Sequence, residues 1–335
     1  MKNACIVGLG AIGPIHAHAV SETKYANVYA VCDIDKDRAD KYAKLYSAKV
    51  YSDFDGVLSD KSIDSIHICT PHYLHKDMAV KALLSGKNIV LEKPAAMTLN
   101  ELDELKDIYE KSNAKACIML QNRKNTSVKK LNYLIQNDKS LGRLKGMTGF
   151  MTWNRTKEYY DSAKWRGSWR YEGGGLLINQ AMHLIDLIDT LGGGITEIKP
   201  NISNNSIASI EVEDTAEALF RLKNGATAVF YATNAFPLDV PFRLEMFFEH
   251  AALRYADNKL YRITDDVEII SSDVQIIDGK KCWGGGHRVV IDEFYKALEN
   301  NTNDYIDLRS GLHSAKVMLS MYKNGLNLGK EWIMI

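Results

Sequence analysis

The chain opens on a short apolar run, residues 4–8, that leads directly into Gly8-Leu9-Gly10-Ala11-Ile12-Gly13 and then into a helical pattern over residues 12–21. No other feature restricts the fold as much as this strand–glycine–helix passage. Each of the three glycines has a separate task. The first permits a tight turn, the second lets the backbone approach a pyrophosphate closely, and the third lets the helix pack against the strand. The start of the helix then offers unpaired N–H groups and a partial positive charge to phosphates. Pro14 suits that position, because a first-turn residue has no intrahelical use for its N–H. The passage predicts a dinucleotide loop with Gly8, Gly10, Ala11, Ile12 and Gly13 as its contacts.

The alternation continues. Continuously apolar runs at residues 28–33, 65–70, 88–92 and 116–120 are separated by helical patterns at 36–46, 75–85 and 99–112. Strands that are apolar on both faces and alternate with helices belong to a doubly wound parallel sheet. After about residue 125 the texture changes. A helix near 128–137 precedes segments of period-2 character at 145–154, 216–222, 226–233 and 243–249, the mark of antiparallel strands. Helical patterns at 176–191, 289–300 and 310–324 and Gly triplets at 173–175, 192–194 and 284–286 punctuate this half. The expected fold class is α/β, with an N-terminal Rossmann domain, residues 1–123, whose sheet is doubly wound and parallel. A C-terminal α/β domain, residues 124–335, follows with a large, mainly antiparallel open sheet, its last helix able to pack back on the first domain.

A chain of 335 residues exceeds what one core usually serves, which agrees with two domains. Lys plus Arg and Asp plus Glu number 42 each, so no overall field draws the chain to nucleic acid or to an anionic membrane. No apolar stretch reaches the 18 or so residues a membrane span needs, and the opening run is too short for a signal peptide. The five cysteines, Cys5, Cys32, Cys69, Cys117 and Cys282, show no CxxC spacing and read as buried, reduced thiols of a cytoplasmic protein.

Asp33 ends the second strand, 20 positions after Gly13, where an acidic side chain accepts hydrogen bonds from the adenosine ribose. It repels a 2′-phosphate, so NAD is favoured over NADP, with Ile34 beside it at the cofactor; Lys36 and Arg38 downstream soften that preference. Two further strands run into Thr70-Pro71-His72-Tyr73-Leu74-His75 and Glu92-Lys93-Pro94. Ligands of open parallel sheets lie beyond the carboxyl ends of the strands, which places Thr70, Pro71, His72, His75, Glu92 and Lys93 over the cofactor. Far downstream, Gly173-Gly174-Gly175 precedes a helix on which Asn179, His183 and Asp186 share one face.

The glycine loop with its trailing His16, the TPxxxH segment, the Glu-Lys-Pro tripeptide and the GGGxLxNxxxH helix together resemble the Gfo/Idh/MocA oxidoreductases. That family includes glucose-fructose oxidoreductase and inositol 2-dehydrogenase. The resemblance spans essentially the whole chain, and the passage from the third Gly triplet into His287 is similar to the end of family members. It implies an NAD-dependent dehydrogenase of a sugar, sugar derivative or cyclitol. Lys93 then contacts substrate and the nicotinamide ribose, and His183 is the acid/base on the reacting hydroxyl. Asn179 stands where many members carry Asp; an amide can bind a sugar hydroxyl but cannot take its proton. In that scheme hydride passes to NAD⁺ while His183 removes the hydroxyl proton and the Lys93 ammonium stabilises the oxygen becoming a carbonyl.

Several residues keep alternatives at this stage. Asp186 either orients His183 or caps local backbone, and His75 either contacts cofactor or starts a helix. Trp165 and Arg166 wall the nicotinamide or substrate pocket, or belong to a structural loop. Gln121, with Asn122 and Arg123, follows the last Rossmann strand at the level of cofactor and substrate. The spacings His72/His75 and His183/Asp186 lack the further ligands of a metal site, and no metal is expected. A large open sheet needs cover, so a homodimer or homotetramer through the C-terminal sheet is expected. Two other functions stay open: a catalytically silent NAD- and sugar-binding regulator, and an NAD-dependent glycosidase of the same family.

Overall fold

Six parallel strands make the first sheet: β1 (Lys2–Val7), β2 (Ala26–Cys32), β3 (Lys49–Tyr51), β4 (Ser65–Ile68), β5 (Asn88–Leu91) and β6 (Ala116–Ile118). Their order is β3-β2-β1-β4-β5-β6, with every pair parallel. The structure is a computed structural model that describes residues 1–204, 209–273, 285–325 and 333–335, and every count refers to these. Cys282 and Gly284 lie outside the described residues. Five helices connect the strands: α1 (Gly13–Glu22), α2 (Lys36–Tyr46), α3 (Phe54–Ser59), α4 (His72–Leu84) and α5 (Leu99–Lys111). Ile6, Ile66, Ile68, Ile89 and Leu91 are wholly buried. Each such side chain contributes about 1.5–3 kcal/mol, and their continuous runs reflect helices covering both sheet faces. The chain order reverses between β1 and β4, and ligands of open α/β sheets bind at that point.

A second unit takes in the described residues from Asn122 through Asp273 and from His313 onward. Its sheet has nine strands, in the order β14-β13-β12-β11-β7-β10-β9-β8-β15. These are β7 (Leu144–Asn154), β8 (Ile195–Ser203), β9 (Thr215–Leu222), β10 (Thr227–Thr233), β11 (Ala235–Phe248), β12 (Ala252–Ala256), β13 (Lys259–Ile263), β14 (Val267–Ser272) and β15 (Ile333–Met334). All pairs are antiparallel except β7 with β10. Two helices precede the one that matters most, α6 (Thr126–Asn137) and α7 (Lys157–Asp161). One wide turn of π-helix, Leu177–Ala181, then leads into α8 (Met182–Gly192), so the single helix expected over 176–191 has two windings. Beneath α8 lies Gly149 of β7: a Cβ there would stand 2.7 Å from Ile188 Cδ1 and 3.2 Å from Leu184 Cδ1. The opposite face of the sheet exposes Phe150, Leu219, Val229 and Phe247.

The strands missed in the sequence are short, polar or interrupted. β3 has three residues, β8 carries Pro200, and β12 to β14 lie toward the sheet edge with few buried positions. Two last helices are α9 (Gly286–Asn300) and α10 (Leu308–Gly325). α9 belongs with the first unit, where Asp292 accepts a 2.6 Å bond from the Thr23 hydroxyl of α1's C-cap. The four described cysteines are buried and form no disulfide with one another. Among the described residues, no helix is long and apolar enough to cross a membrane.

Candidate active site

In the first unit, the glycine loop is shaped by contacts that only glycine allows. Gly8 has φ +88°, and a Cβ on it would lie 2.7 Å from the Cys69 carbonyl oxygen. A Cβ on Gly13 would lie 2.0 Å from the Gly8 oxygen. Gly10 differs: it is exposed, and a Cβ there would meet no protein atom within 4 Å. The protein itself makes no demand for glycine at position 10, and the open space there lets a partner approach the backbone closely. No side chain caps α1 at Ile12, which leaves the helix start to such a partner; Gly10 and Ala11 are exposed and Ile12 is half-buried. Asp33 does more than the sequence suggested. Its carboxylate accepts the Leu9 N–H at 2.6 Å and the Asp35 N–H at 2.8 Å, with the Arg38 guanidinium 3.6 Å away. It thereby ties the end of β2 to the glycine loop, beside a fully exposed Ile34. These residues fit a dinucleotide.

The segments after β4 and β5 are clasped together by His75. Its Nδ1 lies 2.8 Å from the Pro94 carbonyl and its Nε2 2.7 Å from the Thr70 carbonyl, and the ring is buried. Burial holds His75 below its usual pKa although both carbonyls favour the charged ring. The side chain is committed to holding the two segments, as the fourth residue of α4. His72 is buried, whereas Thr70, Pro71 and Lys93 are half-buried at the strand ends. Glu92 is buried, bonded to His16 at 2.9 Å and accepting the Lys93 N–H at 3.2 Å. Gln121 is buried as well, and its carbonyl closes against Gly286, where a Cβ would stand at 2.0 Å.

In the second unit, the first Gly triplet makes room for a buried carboxylate and a tyrosine. A Cβ on Gly174 would lie 2.0 Å from the Tyr322 hydroxyl, and one on Gly175 would lie 2.1 Å from the Glu213 carbonyl. The Glu213 carboxylate accepts the N–H groups of Gly175 at 2.9 Å and Leu177 at 2.8 Å, and the Tyr322 hydroxyl at 2.8 Å. Tyr322 in turn accepts the Ile178 N–H at 3.0 Å. Three amides at the helix start are thus satisfied from outside the helix. Of residues 174–189, all are buried except Asn179 and His183. Up to Asp189 the π turn and α8 therefore show the outside two polar side chains, both at positions the sequence singled out, and Thr190 in the last turn is exposed as well.

Asn179 has a close acidic neighbour. Its amide donates to Glu172 Oε1 at 2.7 Å and to the Tyr159 hydroxyl at 3.3 Å, while Glu172 Oε2 accepts the Gly167 N–H at 2.6 Å. Arg166 and Arg155 both lie over the Tyr159 ring, 4.3 and 5.0 Å from its centre, and Arg166 is 4.9 Å from the Trp165 ring. Asp186 takes neither role expected for it. It forms a two-pronged pair with Arg123, at 2.8 and 2.5 Å, and accepts the Ser314 hydroxyl at 2.8 Å. That pairing also commits Arg123, which the sequence had grouped with Gln121 near cofactor and substrate.

Residues 2–120 match the family model described as an oxidoreductase family with an NAD-binding Rossmann fold, and residues 128–254 match the GFO/IDH/MocA C-terminal domain. The chain belongs to the Gfo/Idh/MocA oxidoreductase family. Among curated relatives, this Gfo/Idh/MocA chain is 24% identical to glucose-6-phosphate 3-dehydrogenase of Bacillus subtilis, over 98% of this chain and 97% of that protein. It is also 24% identical to myo-inositol 2-dehydrogenase of Thermotoga maritima, over 76% of this chain and 74% of that protein. Among solved structures, the WlbA dehydrogenase of Bordetella pertussis, in complex with NADH and UDP-GlcNAcA, superimposes with a TM-score of 0.86 at 23% identity. That comparison covers 100% of this chain and 98% of the other. The protein is an NAD-binding oxidoreductase.

Glu213 and Tyr322 escaped the sequence reading because their partners are distant in the chain, and Glu172 because no motif marks its contacts with Gly167 and Asn179. Two outcomes follow from their geometry. Asn179→Asp sets a carboxylate 2.7 Å from Glu172, and one of the two must hold a proton. We expect it to cost roughly 1–3 kcal/mol in urea unfolding at pH 8, with Glu172→Gln in the same chain recovering the loss. Stability equal to wild type would contradict this. Burial pushes the Glu213 carboxyl up to about 7, outweighing the Gly175 and Leu177 amides and the Tyr322 hydroxyl, which favour its charged form. A carboxyl raised in the folded state stabilises below its usual value near 4.5 and loses that contribution as pH rises through about 7. Glu213→Gln should remove a pH-dependent stability difference on the order of 3 kcal/mol between pH 5 and pH 8, read from urea midpoints.

Proposed function

We propose that this oxidoreductase moves hydride between NAD and a secondary hydroxyl of a sugar, a sugar derivative or a cyclitol. The observation that carries the reading is the stretch 174–189, on which Asn179 and His183 alone are not buried, in a chain whose Lys93 follows the end of β5. The relatives named glucose-6-phosphate 3-dehydrogenase and myo-inositol 2-dehydrogenase support a polyhydroxylated ring as the substrate class. In this reading Gly8, Gly10, Ala11, Ile12 and Gly13 hold the diphosphate, and Asp33 with Ile34 holds the adenosine end. Thr70, Pro71, His72, Gln121, Trp165 and Arg166 border the nicotinamide or the substrate, and His75 and Glu92 hold that border in place. The Asp33 carboxylate, already accepting two amides, repels a 2′-phosphate and so favours NAD.

Bound NAD supplies the hydride acceptor. His183 removes the proton of the reacting hydroxyl, and the Lys93 ammonium stabilises the oxygen as it becomes a carbonyl. Asn179 donates or accepts a hydrogen bond with a neighbouring hydroxyl, its amide oriented by Glu172. It cannot take a proton, so general-base work falls on His183. Pure protein with NAD⁺ and a panel of sugars, sugar phosphates and cyclitols, followed at 340 nm, tests the proposal. We expect net NADH on at least one member, and a 10²–10⁴-fold lower kcat for His183→Ala with NAD⁺ affinity retained. Product without net NADH would indicate a glycosidase, and binding without turnover a regulator; either overturns the reading.

The same reading includes self-association as a homodimer or homotetramer through the outer face of the second sheet. Phe150, Leu219, Val229 and Phe247 are each 39–45% exposed there. Light scattering should return a multiple of the 37.6 kDa chain mass, and Val229→Lys with Phe247→Glu should lower it. A monomer at micromolar concentration would exclude it.

A further inference from the structure

Behind Glu92 runs a line of buried polar side chains for which the proposed reaction has no direct use. Glu92 Oε1 lies 2.9 Å from His16 Nε2, and His16 Nδ1 lies 2.9 Å from His67 Nδ1. His67 Nε2 lies 2.7 Å from the Tyr295 hydroxyl, which lies 2.8 Å from the Ser65 hydroxyl. His16, Ser65, His67 and Tyr295 have no exposed surface, and Glu92 is 6% exposed. The residues come from α1, β4, α9 and the turn after β5, so four elements of the first unit converge on the line.

Counting hydrogens fixes its sense. A carboxylate has none to give, so His16 Nε2 carries one and donates it to Glu92. Burial and the neighbouring His16 hold His67 well below its usual value, so His67 is neutral and has a single N–H for two partners. With His16 neutral as well, His67 Nδ1 donates to His16, Tyr295 donates to His67, and Ser65 donates to Tyr295. Every hydrogen then points toward Glu92. Protonating His16 reverses each bond beyond it, yet the donor to Glu92 stays in place. The line therefore guarantees Glu92 a hydrogen bond in either state.

We propose that His16, backed by His67, Tyr295 and Ser65, is a positioning residue for the reaction. Its N–H keeps Glu92 a carboxylate, and Glu92 holds the Lys93 main chain and sets a negative charge beside Lys93. This rests on the role given to Lys93 above. Burial alone would raise Glu92, but the His16 hydrogen bond outweighs it, helped by the Lys93 charge and by His16 and His287 where these are protonated, and the carboxyl is held at about 2. The other groups facing Glu92 carry no charge near neutral pH. His287, whose Nε2 is 3.9 Å away, is pulled down to about 4 chiefly by burial. Burial likewise lowers His75 and raises the Cys69 thiol.

His16→Leu removes the donor and leaves burial unopposed, so Glu92 moves up into the working pH range. Two readouts then change in opposite directions. The ratio of kcat/KM in His16→Leu to that in wild type should fall at least tenfold from pH 8.5 to 5.5, as Glu92 takes up a proton; the ratio cancels titrations common to both proteins. The urea midpoint of the variant, relative to wild type, should fall as pH rises over the same range, because a raised carboxyl costs stability once it ionises. His16→Gln, which keeps an N–H for Glu92 and an acceptor for His67, should hold the ratio within threefold. Adding Glu92→Gln to His16→Leu should flatten both profiles. His16→Met serves where His16→Leu does not fold. Flat profiles in a folded His16→Leu or His16→Met protein would reduce His16 to a space-filling residue and overturn the proposal. The unfolding readout needs no turnover, so it tests His16 and Glu92 even if the substrate panel fails.

Discussion

A carboxylate buried away from water must be given hydrogens, and in this chain main-chain amides give them wherever a local geometry has to be held. Asp33 takes the N–H groups of Leu9 and Asp35, which sets the glycine loop against the end of β2. Glu92 takes that of Lys93, Glu172 that of Gly167, and Glu213 those of Gly175 and Leu177. Asp33 and Glu213 couple a side chain from one segment to the backbone of another, and a bond to a charged carboxylate is stronger than one to a neutral acceptor. The glycines at these points yield to that arrangement, as Gly175 does beneath the Glu213 carbonyl. Backbone position in the loop and in the helix start thus depends on side chains far away in sequence.

How much of this can be read from the sequence follows from the range of each interaction. The six-stranded sheet is written in continuous apolar runs such as residues 28–33 and 65–70, because burial on both faces leaves no polar alternation. β3 is too short to show a period, and β11 hides its first half behind Pro237 and Pro241. In the candidate site, Gly13, Lys93 and His183 stand in contiguous motifs, so their types and spacing are visible. Glu213 lies 36 and 38 positions from the amides it holds, and no local pattern announces it. Asp186 shows the error this invites. Its spacing of three from His183 suggests a shared helical face, but its partner is Arg123, 63 positions away. Spacing tells which side chains lie on one face; it does not tell which distant donor reaches that face.

Asn at position 179, where the family resemblance leads one to expect Asp, takes on a different meaning in this setting. Taken alone, it removes a proton acceptor from the helix. Beside Glu172, it avoids a second charge in a place already occupied by one, and it turns a repulsive contact into a hydrogen bond of 2.7 Å.

On β7, neighbouring residues point to opposite faces of the sheet. Gly149 lies under Leu184 and Ile188 of the helix that bears His183, while Phe150 looks outward at 45% exposure. At Phe150, whose ring lies beside that of Tyr231, what is tolerated is set by the subunit proposed to cover that face and not by the helix beneath. One position earlier even a methyl group would require the Ile188 and Leu184 side chains to shift, and a larger one would crowd the helix that carries them. Tolerance to change therefore alternates along this strand with the pleat itself.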